Sequence, residues 1–228
     1  MGQLTGQVAL ITGAKGGLGT HVTQAFLEAG AEVAGVSRSM EAADFPHPNF
    51  TAIATELTSL DAARSVAARL ERIDVLVHLV GGFAGGKKVG ETDDAMLERM
   101  FALNFWPAAH MIRAVLPRMQ EQRRGCILAI GSRVALEPKP GVSAYAASKA
   151  ALVSLVETVA RENKAAGITA NVILPGTMDT PANRRDMPNA DYSKWVQPAQ
   201  VAALLVHLAS KEASQITGAV IPVLGGEL

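Results

Sequence analysis

Short apolar runs alternate along the chain with longer segments of helical composition. The apolar runs are bounded by glycine, proline and other turn formers and predict β-strands over residues 7–12, 32–37, 50–55, 74–80, 125–131, 168–174 and 218–226. The segments between them predict helices over residues 19–29, 59–72, 92–119, 144–161 and 198–210. Pro107 and Pro117 lie inside the longest helix and are expected to kink or divide it.

This order of elements predicts the fold class. Strands that alternate with helices favour an α/β fold, here a single-domain doubly wound parallel sheet, Rossmann-like, with helices on both faces. We expect this domain to span residues 1–228. Residues 181–197 are polar and irregular, and we interpret them as a flap on the substrate side rather than a second domain. Ligands of such sheets bind at the carboxyl ends of the strands.

Composition narrows the class of protein. The chain has 228 residues, 49% of them hydrophobic, and a formal net charge of zero, which favours neither nucleic acid nor an anionic membrane as a partner. Its apolar runs are shorter than the ~18–20 residues that cross a membrane, and no signal peptide is evident, so we expect a soluble cytoplasmic protein. The single cysteine, Cys126, excludes a disulfide framework, and the five histidines show no metal-ligand spacing.

A glycine-rich turn follows the first strand and opens the first helix. Its glycines are spaced Gly13-x-x-x-Gly17-x-Gly19. Strand, glycine turn and helix in this order are typical of a dinucleotide site, because glycines let the backbone approach a pyrophosphate and the N–H groups of the helix start favour its charge. The spacing differs from Gly-x-Gly-x-x-Gly, and the alternative is a tight turn without a ligand.

The end of the second strand bears on the choice of cofactor. An acidic residue there would hold the ribose 2′-hydroxyl of NAD, whereas a basic residue would accommodate the 2′-phosphate of NADP. The chain has Ser37 and Arg38 at this point, and Lys15 lies inside the glycine turn. Two cations without a carboxylate favour NADP(H), with NAD(H) less favoured. The alternative is that both are solvated surface cations.

Candidate catalytic groups follow the fifth strand. Ser132 stands just beyond that strand, and Tyr145 and Lys149 stand four residues apart near a helix start, so these two share one helix face. A nearby cation favours the phenolate and would bring Tyr145 closer to the pH at which it exchanges protons. A packed tyrosine and a solvated lysine are the alternative. Asn104, among apolar neighbours, is either a structural strut or a mount for a functional water.

Taken together, these motifs resemble the short-chain dehydrogenase/reductase family over nearly the whole chain. The resemblance rests on the glycine turn, Asn104, Ser132, Tyr145-x-x-x-Lys149 and Pro175-Gly-x-x-x-Thr180. It implies a catalytic tetrad of Asn104, Ser132, Tyr145 and Lys149. In that tetrad Tyr145 exchanges the proton, Ser132 orients the substrate oxygen and Asn104 holds a water.

The resemblance also implies cofactor contacts and partners. Added to the contacts predicted above from the glycine turn and the end of the second strand, they give one set of expected cofactor contacts. The set is Gly13, Lys15, Gly17, Leu18, Gly19, Ser37, Arg38, Glu56, Leu57, Val80, Gly81, Gly82, Tyr145, Lys149, Pro175, Gly176, Thr177, Met178 and Thr180. The implied partners are a small-molecule substrate and a second copy of the chain, in a homodimer or homotetramer packed through the long helices.

Three departures from the family pattern stand out. His78 replaces the first Asn of the usual Asn-Asn-Ala-Gly, Glu56 replaces an Asp, and Leu224 replaces an Asp. Residues 80–86 and 174–195 are similar to segments of quinonoid dihydropteridine reductases. The hypotheses are therefore an NADP(H)-dependent oxidoreductase of a small carbonyl/alcohol pair, a pterin reductase, or a catalytically silent NADP-binding regulator.

Overall fold

The computed structural model describes residues 2–226. The ends of the predicted 1–228 domain, residues 1, 227 and 228, lie outside the described residues. Within residues 2–226 the strands are β1 (Val8–Thr12), β2 (Glu32–Ser37), β3 (Phe50–Ala54), β4 (Val75–His78), β5 (Gly125–Ile130), β6 (Ile168–Pro175) and β7 (Val220–Val223). The α-helices of the same described range are α1 (Gly19–Glu28), α2 (Leu60–Ala67), α3 (Asp94–Asn104), α4 (Trp106–Gln122), α5 (Ser143–Asn163), α6 (Pro181–Asp186) and α7 (Pro198–Ala209).

All seven strands form one parallel sheet. Their order is β3-β2-β1-β4-β5-β6-β7, so the direction of winding reverses between β1 and β4. In register, Thr12 at the end of β1 pairs with His78 at the end of β4 and with Val36 of β2. This reversal creates a crevice at the carboxyl ends of the central strands, which confirms the predicted fold class.

Helices cover both faces of the sheet because successive strand residues point to opposite sides. Leu10 faces a core built with α2, α4 and α5, whereas Ala9 and Ile11 face a second core built with α1 and α7. The strands are therefore apolar on both sides, as expected for a parallel sheet buried between helix layers. Across residues 2–226, no helix combines the length and apolar character needed to cross a membrane.

The long helix predicted over residues 92–119 is divided, as the prolines led us to expect. Its two helices meet at Phe105, and Pro107 lies in the first turn of α4, where its missing N–H is not needed. The helix predicted over residues 59–72 is shorter than expected and ends at Ala67. Pro117 lies within α4 without ending it. The flap is not wholly irregular, because it contains α6 and a short 3-10 turn, Tyr192–Lys194.

Candidate active site

The glycine turn lies at the carboxyl end of β1, beside the crevice. Gly13 has a φ of +72°, which favours glycine, and a Cβ on Gly19 would lie only 2.0 Å from the Gly13 carbonyl oxygen. A Cβ on Gly17 would lie 3.0 Å from Cγ2 of Thr180, so the turn contacts the loop after β6. Leu18 is the N-cap residue just before α1, and its side chain accepts no hydrogen bond from the helix N–H groups. Backbone free of side chains at an uncapped helix start suits a pyrophosphate.

The edge beyond β2 contains a carboxylate that the sequence interpretation did not include. Lys15 Nζ lies 2.6 Å from Oδ1 of Asp44, which belongs to a 3-10 turn, Ala42–Asp44. Arg38 is exposed, and within residues 2–226 it forms no ion pair. The expectation of two cations and no carboxylate at this edge is therefore wrong, because Asp44 pairs with Lys15. The hydroxyl oxygen of Ser37 is buried and finds no hydrogen-bond partner in the described chain.

Two of the predicted cofactor contacts, Glu56 and Leu57, differ in their surroundings. Glu56 is exposed, just after β3. Leu57 is 6% exposed and packs in the core with α2 and α4, so only its backbone can face a ligand.

Ser132, Tyr145 and Lys149 converge at the centre of the crevice. Ser132 follows the end of β5, and its side chain is hydrogen-bonded to the Tyr145 phenol in the first turn of α5. One turn further on, Lys149 is 4% exposed and its Nζ donates to the carbonyl oxygen of Ile130 at 2.9 Å. The three predicted groups thus lie at one point, where the end of β5 meets the start of α5.

The electrostatics of Tyr145 differ from the sequence expectation. Burial raises the pKa of the Tyr145 phenol above its usual value, and the hydrogen bond from Ser132 opposes that rise. Burial lowers the pKa of Lys149 to about 8. The expected lowering of the phenol pKa by a nearby cation is not seen, because the cost of burying the phenolate outweighs the favourable interactions.

Asn104 is fully buried at the end of α3 and links two parts of the site. Its Oδ1 accepts from the N–H of Gly82 at 2.9 Å, and its Nδ2 donates to Oγ of Ser148 at 3.2 Å. Ser148 in turn donates to the carbonyl oxygen of Tyr145 at 2.8 Å. Asn104 therefore acts as a strut between the loop after β4 and α5. The functional water stays a prediction.

The loop after β4 forms a wall of the crevice. A Cβ on Gly81 would lie 2.8 Å from Oδ1 of Asn104 and 3.1 Å from Nζ of Lys149, so glycine is needed for this close approach. Val80, just before it, is half-buried and packs against the core. Beyond it, Phe83 is 67% exposed and meets the Tyr145 ring edge to face, with centroids 5.1 Å apart.

His78 braces the start of this loop in place of the usual Asn. Its Nδ1 lies 2.9 Å from Oγ1 of Thr12, so the ends of β4 and β1 share a hydrogen bond next to Gly13. The imidazole is 1% exposed. Its pKa is lowered to about 3, first by burial and then by the charge of Lys149, which keeps the ring neutral at physiological pH.

The loop after β6 carries the remaining predicted cofactor contacts. Pro175 ends β6, and Gly176, Thr177 and Met178 lead to Thr180, whose Oγ1 accepts from the N–H of Asn183 and caps α6. The sequence interpretation missed an anchor of the flap. Arg184 donates from Nε and Nη2 to the two carboxylate oxygens of Asp179, at 2.6 and 2.8 Å. The pair holds the pKa of Asp179 down at about 2.

These residues fit a dinucleotide. Glycines stand where side chains would collide, α1 begins uncapped, and the Ser37 hydroxyl has no protein partner in the described chain. Residues 2–226 hold no group of three or more histidine, cysteine or acidic side chains suited to a metal ion.

Comparisons with known proteins agree with this geometry. The model of the short chain dehydrogenase family matches residues 7–191. The 2,3-dihydro-2,3-dihydroxybenzoate dehydrogenase of Escherichia coli (strain K12) is 32% identical, with 97% of each chain covered. The 3-oxoacyl-(acyl-carrier-protein) reductase FabG of Vibrio harveyi is 29% identical, with 98% of each chain covered. A solved short chain dehydrogenase/reductase family protein superposes with a TM-score of 0.90 at 30% identity, covering 98% of each chain.

Proposed function

Because the chain belongs to the short-chain dehydrogenase/reductase family, we propose that it transfers a hydride between NADP(H) and a small carbonyl/alcohol substrate, with Tyr145 as general acid and base. The observation that carries the proposal is the hydrogen bond between Ser132 and Tyr145 beside the buried Lys149. Two hydroxyls at one point can both reach a substrate oxygen, which is what proton transfer to that oxygen requires.

The proton chemistry of the site favours reduction of a carbonyl. Burial raises the pKa of Tyr145, so the phenol stays protonated at neutral pH and can donate to the substrate oxygen. As the proton leaves, the Ser132 hydroxyl stabilises the charge that develops on the phenol oxygen, and the nearby Lys149 ammonium adds a favourable electrostatic interaction. In the oxidative direction the same groups would accept the proton.

The cofactor, when bound, supplies or accepts the hydride. The glycine turn and the start of α1 would hold its pyrophosphate, and Arg38 would face a 2′-phosphate. The ammonium of Lys149 has three donors. The bond to Ile130 uses one of them, which leaves donors for a ribose hydroxyl.

Replacing the phenol tests the proposal. Turnover of NADPH with a panel of ketones, aldehydes and quinonoid dihydropterins should fall about 100- to 10,000-fold in Tyr145→Phe. NADPH affinity, measured by fluorescence titration, should stay within about twofold, because the ring and the glycine turn remain. Unchanged turnover would reject Tyr145 as the proton donor. Tighter binding of NADH than of NADPH would contradict the cofactor preference.

The other hypotheses are distinguished by the same panel. The complete set of Ser132, Tyr145 and Lys149 at one point argues against a catalytically silent regulator. Turnover confined to the pterins would favour the dihydropteridine-type alternative. The cytoplasmic location and the homodimer or homotetramer stay predictions.

A further inference from the structure

Lys15 of the glycine turn is not a free cation. Its Nζ lies 2.6 Å from Oδ1 of Asp44 and donates to the carbonyl oxygen of Ser39 at 3.2 Å. Both partners come from the segment that follows β2, where the ribose end of a dinucleotide lies in this fold. The lysine side chain is 42% exposed and the aspartate side chain 20%. The pair is therefore accessible to a ligand but partly shielded from water.

Asp44 is the fixed partner of this pair. Its Oδ2 accepts from the backbone N–H of Glu41 at 2.9 Å, and its own N–H donates to the Glu41 carbonyl oxygen at 3.1 Å. These two bonds fix the carboxylate at the end of a short turn. Lys15, in contrast, has a flexible four-carbon stem. When a ligand competes for the pair, Lys15 is the side chain that moves.

The pair has opposite consequences for the two nicotinamide cofactors. A 2′-phosphate carries negative charge, so it must draw Lys15 away from Asp44 and lie near the carboxylate that remains. A ribose 2′-hydroxyl is uncharged and does not compete for Lys15. Resting on the proposed NADP(H) function, we propose that Asp44 is a specificity-determining residue that weakens discrimination against NAD(H) by holding Lys15.

Asp44→Asn tests this proposal without removing the turn, since the amide oxygen can still accept from Glu41 N–H. Fluorescence titration should show the ratio of the NADH to the NADPH dissociation constant rising about fivefold, the size expected for a partly exposed ion pair. Nearly all of the change should fall on NADPH. Glu157→Gln is the matched control, because it removes one negative charge from the Glu157–Arg161 pair on α5 and should leave the ratio unchanged.

Repeating Asp44→Asn in a protein that already carries Lys15→Met shows whether the change in the ratio depends on Lys15. In Lys15→Met, the further change Asp44→Asn should alter the ratio less than about twofold, because there is no longer a lysine to release. The proposal would be overturned if Asp44→Asn left the ratio unchanged in the protein that keeps Lys15. It would also be overturned if Asp44→Asn changed the ratio equally with Lys15 and with Lys15→Met. Failure of the unsubstituted protein to bind either cofactor would contradict the proposed function itself, and this inference with it.

Discussion

The ring of Phe83 meets the ring of Tyr145 edge to face, with centroids 5.1 Å apart, while Phe83 itself remains 67% exposed. An exposed aromatic face beside Tyr145, the proposed proton donor, is suited to bind the apolar part of a substrate.

Phe83→Ala should therefore change substrate preference. KM for aryl ketones should rise about tenfold, because the ring contact and the apolar area it buries are lost. KM for small aliphatic ketones and the NADPH affinity should change little. Steady-state kinetics over a graded series of ketones measures this, and an equal rise in KM for every substrate would contradict the assigned surface.

Ser132→Ala should shift the pH profile. The variant loses the hydrogen bond that lowers the pKa of Tyr145, so the phenol pKa rises further. The alkaline limb of carbonyl reduction should move to higher pH, and kcat should fall about 100-fold because the substrate oxygen loses a donor. Ser154→Ala, at an exposed position of α5, should leave the profile unchanged. A lower kcat with an unmoved alkaline limb would show that Ser132 does not act through Tyr145.

Gly81→Ala should weaken both the fold and the proposed nucleotide site. The added Cβ would lie 2.8 Å from Oδ1 of Asn104, so Asn104 must move and lose its bond to Gly82. We expect a loss of about 1–3 kcal/mol in the free energy of unfolding, together with weaker NADPH binding. Gly90→Ala is the control, because a Cβ there has no neighbour within 4 Å. Equal behaviour of the two variants in denaturant unfolding and in titration would contradict the strut assigned to Asn104.

His78 should make the protein less stable in acid. Its pKa is about 3 in the folded state against an ordinary value of 6.5, so the unfolded chain binds a proton first as the pH falls. The stability that the neutral, buried His78 contributes to the fold is therefore fully present above pH 6.5. It is lost progressively between pH 6.5 and 3. By pH 4.5 the loss should reach about 2–3 kcal/mol.

Urea unfolding at pH 7.5 and 4.5 measures that loss. His78→Asn should show a smaller loss between the two pH values, whereas His21→Asn, at an exposed site on α1, should behave like the unsubstituted protein. An acid loss unchanged by His78→Asn would show that other groups cause it.

Much of the fold and the centre of the site could be predicted because they depend on local patterns. The apolar runs fix the strands, and the four-residue spacing of Tyr145 and Lys149 fixes their common helix face. The pKa of Tyr145 could not be predicted in this way, because it depends on how deeply the folded chain buries the phenol. The partner of Lys15 was missed for the same reason, since Asp44 lies 29 positions further along the chain, in a loop without a regular pattern. The two prolines predicted a kink or division of the long helix, but they did not predict that it lies at Phe105. Pro107 fits the first turn of α4, so the helix ends before the proline.

The bond from Lys149 to Ile130 joins the last residue of β5 to the helix that carries Tyr145. Ser132 stands two positions beyond that strand end, so a single ammonium group connects the two parts of the chain that carry the proposed catalytic hydroxyls. Shortening or removing this side chain would change how far apart those hydroxyls stand as well as the local charge. Kinetic effects of substitutions at position 149 therefore report geometry and electrostatics together.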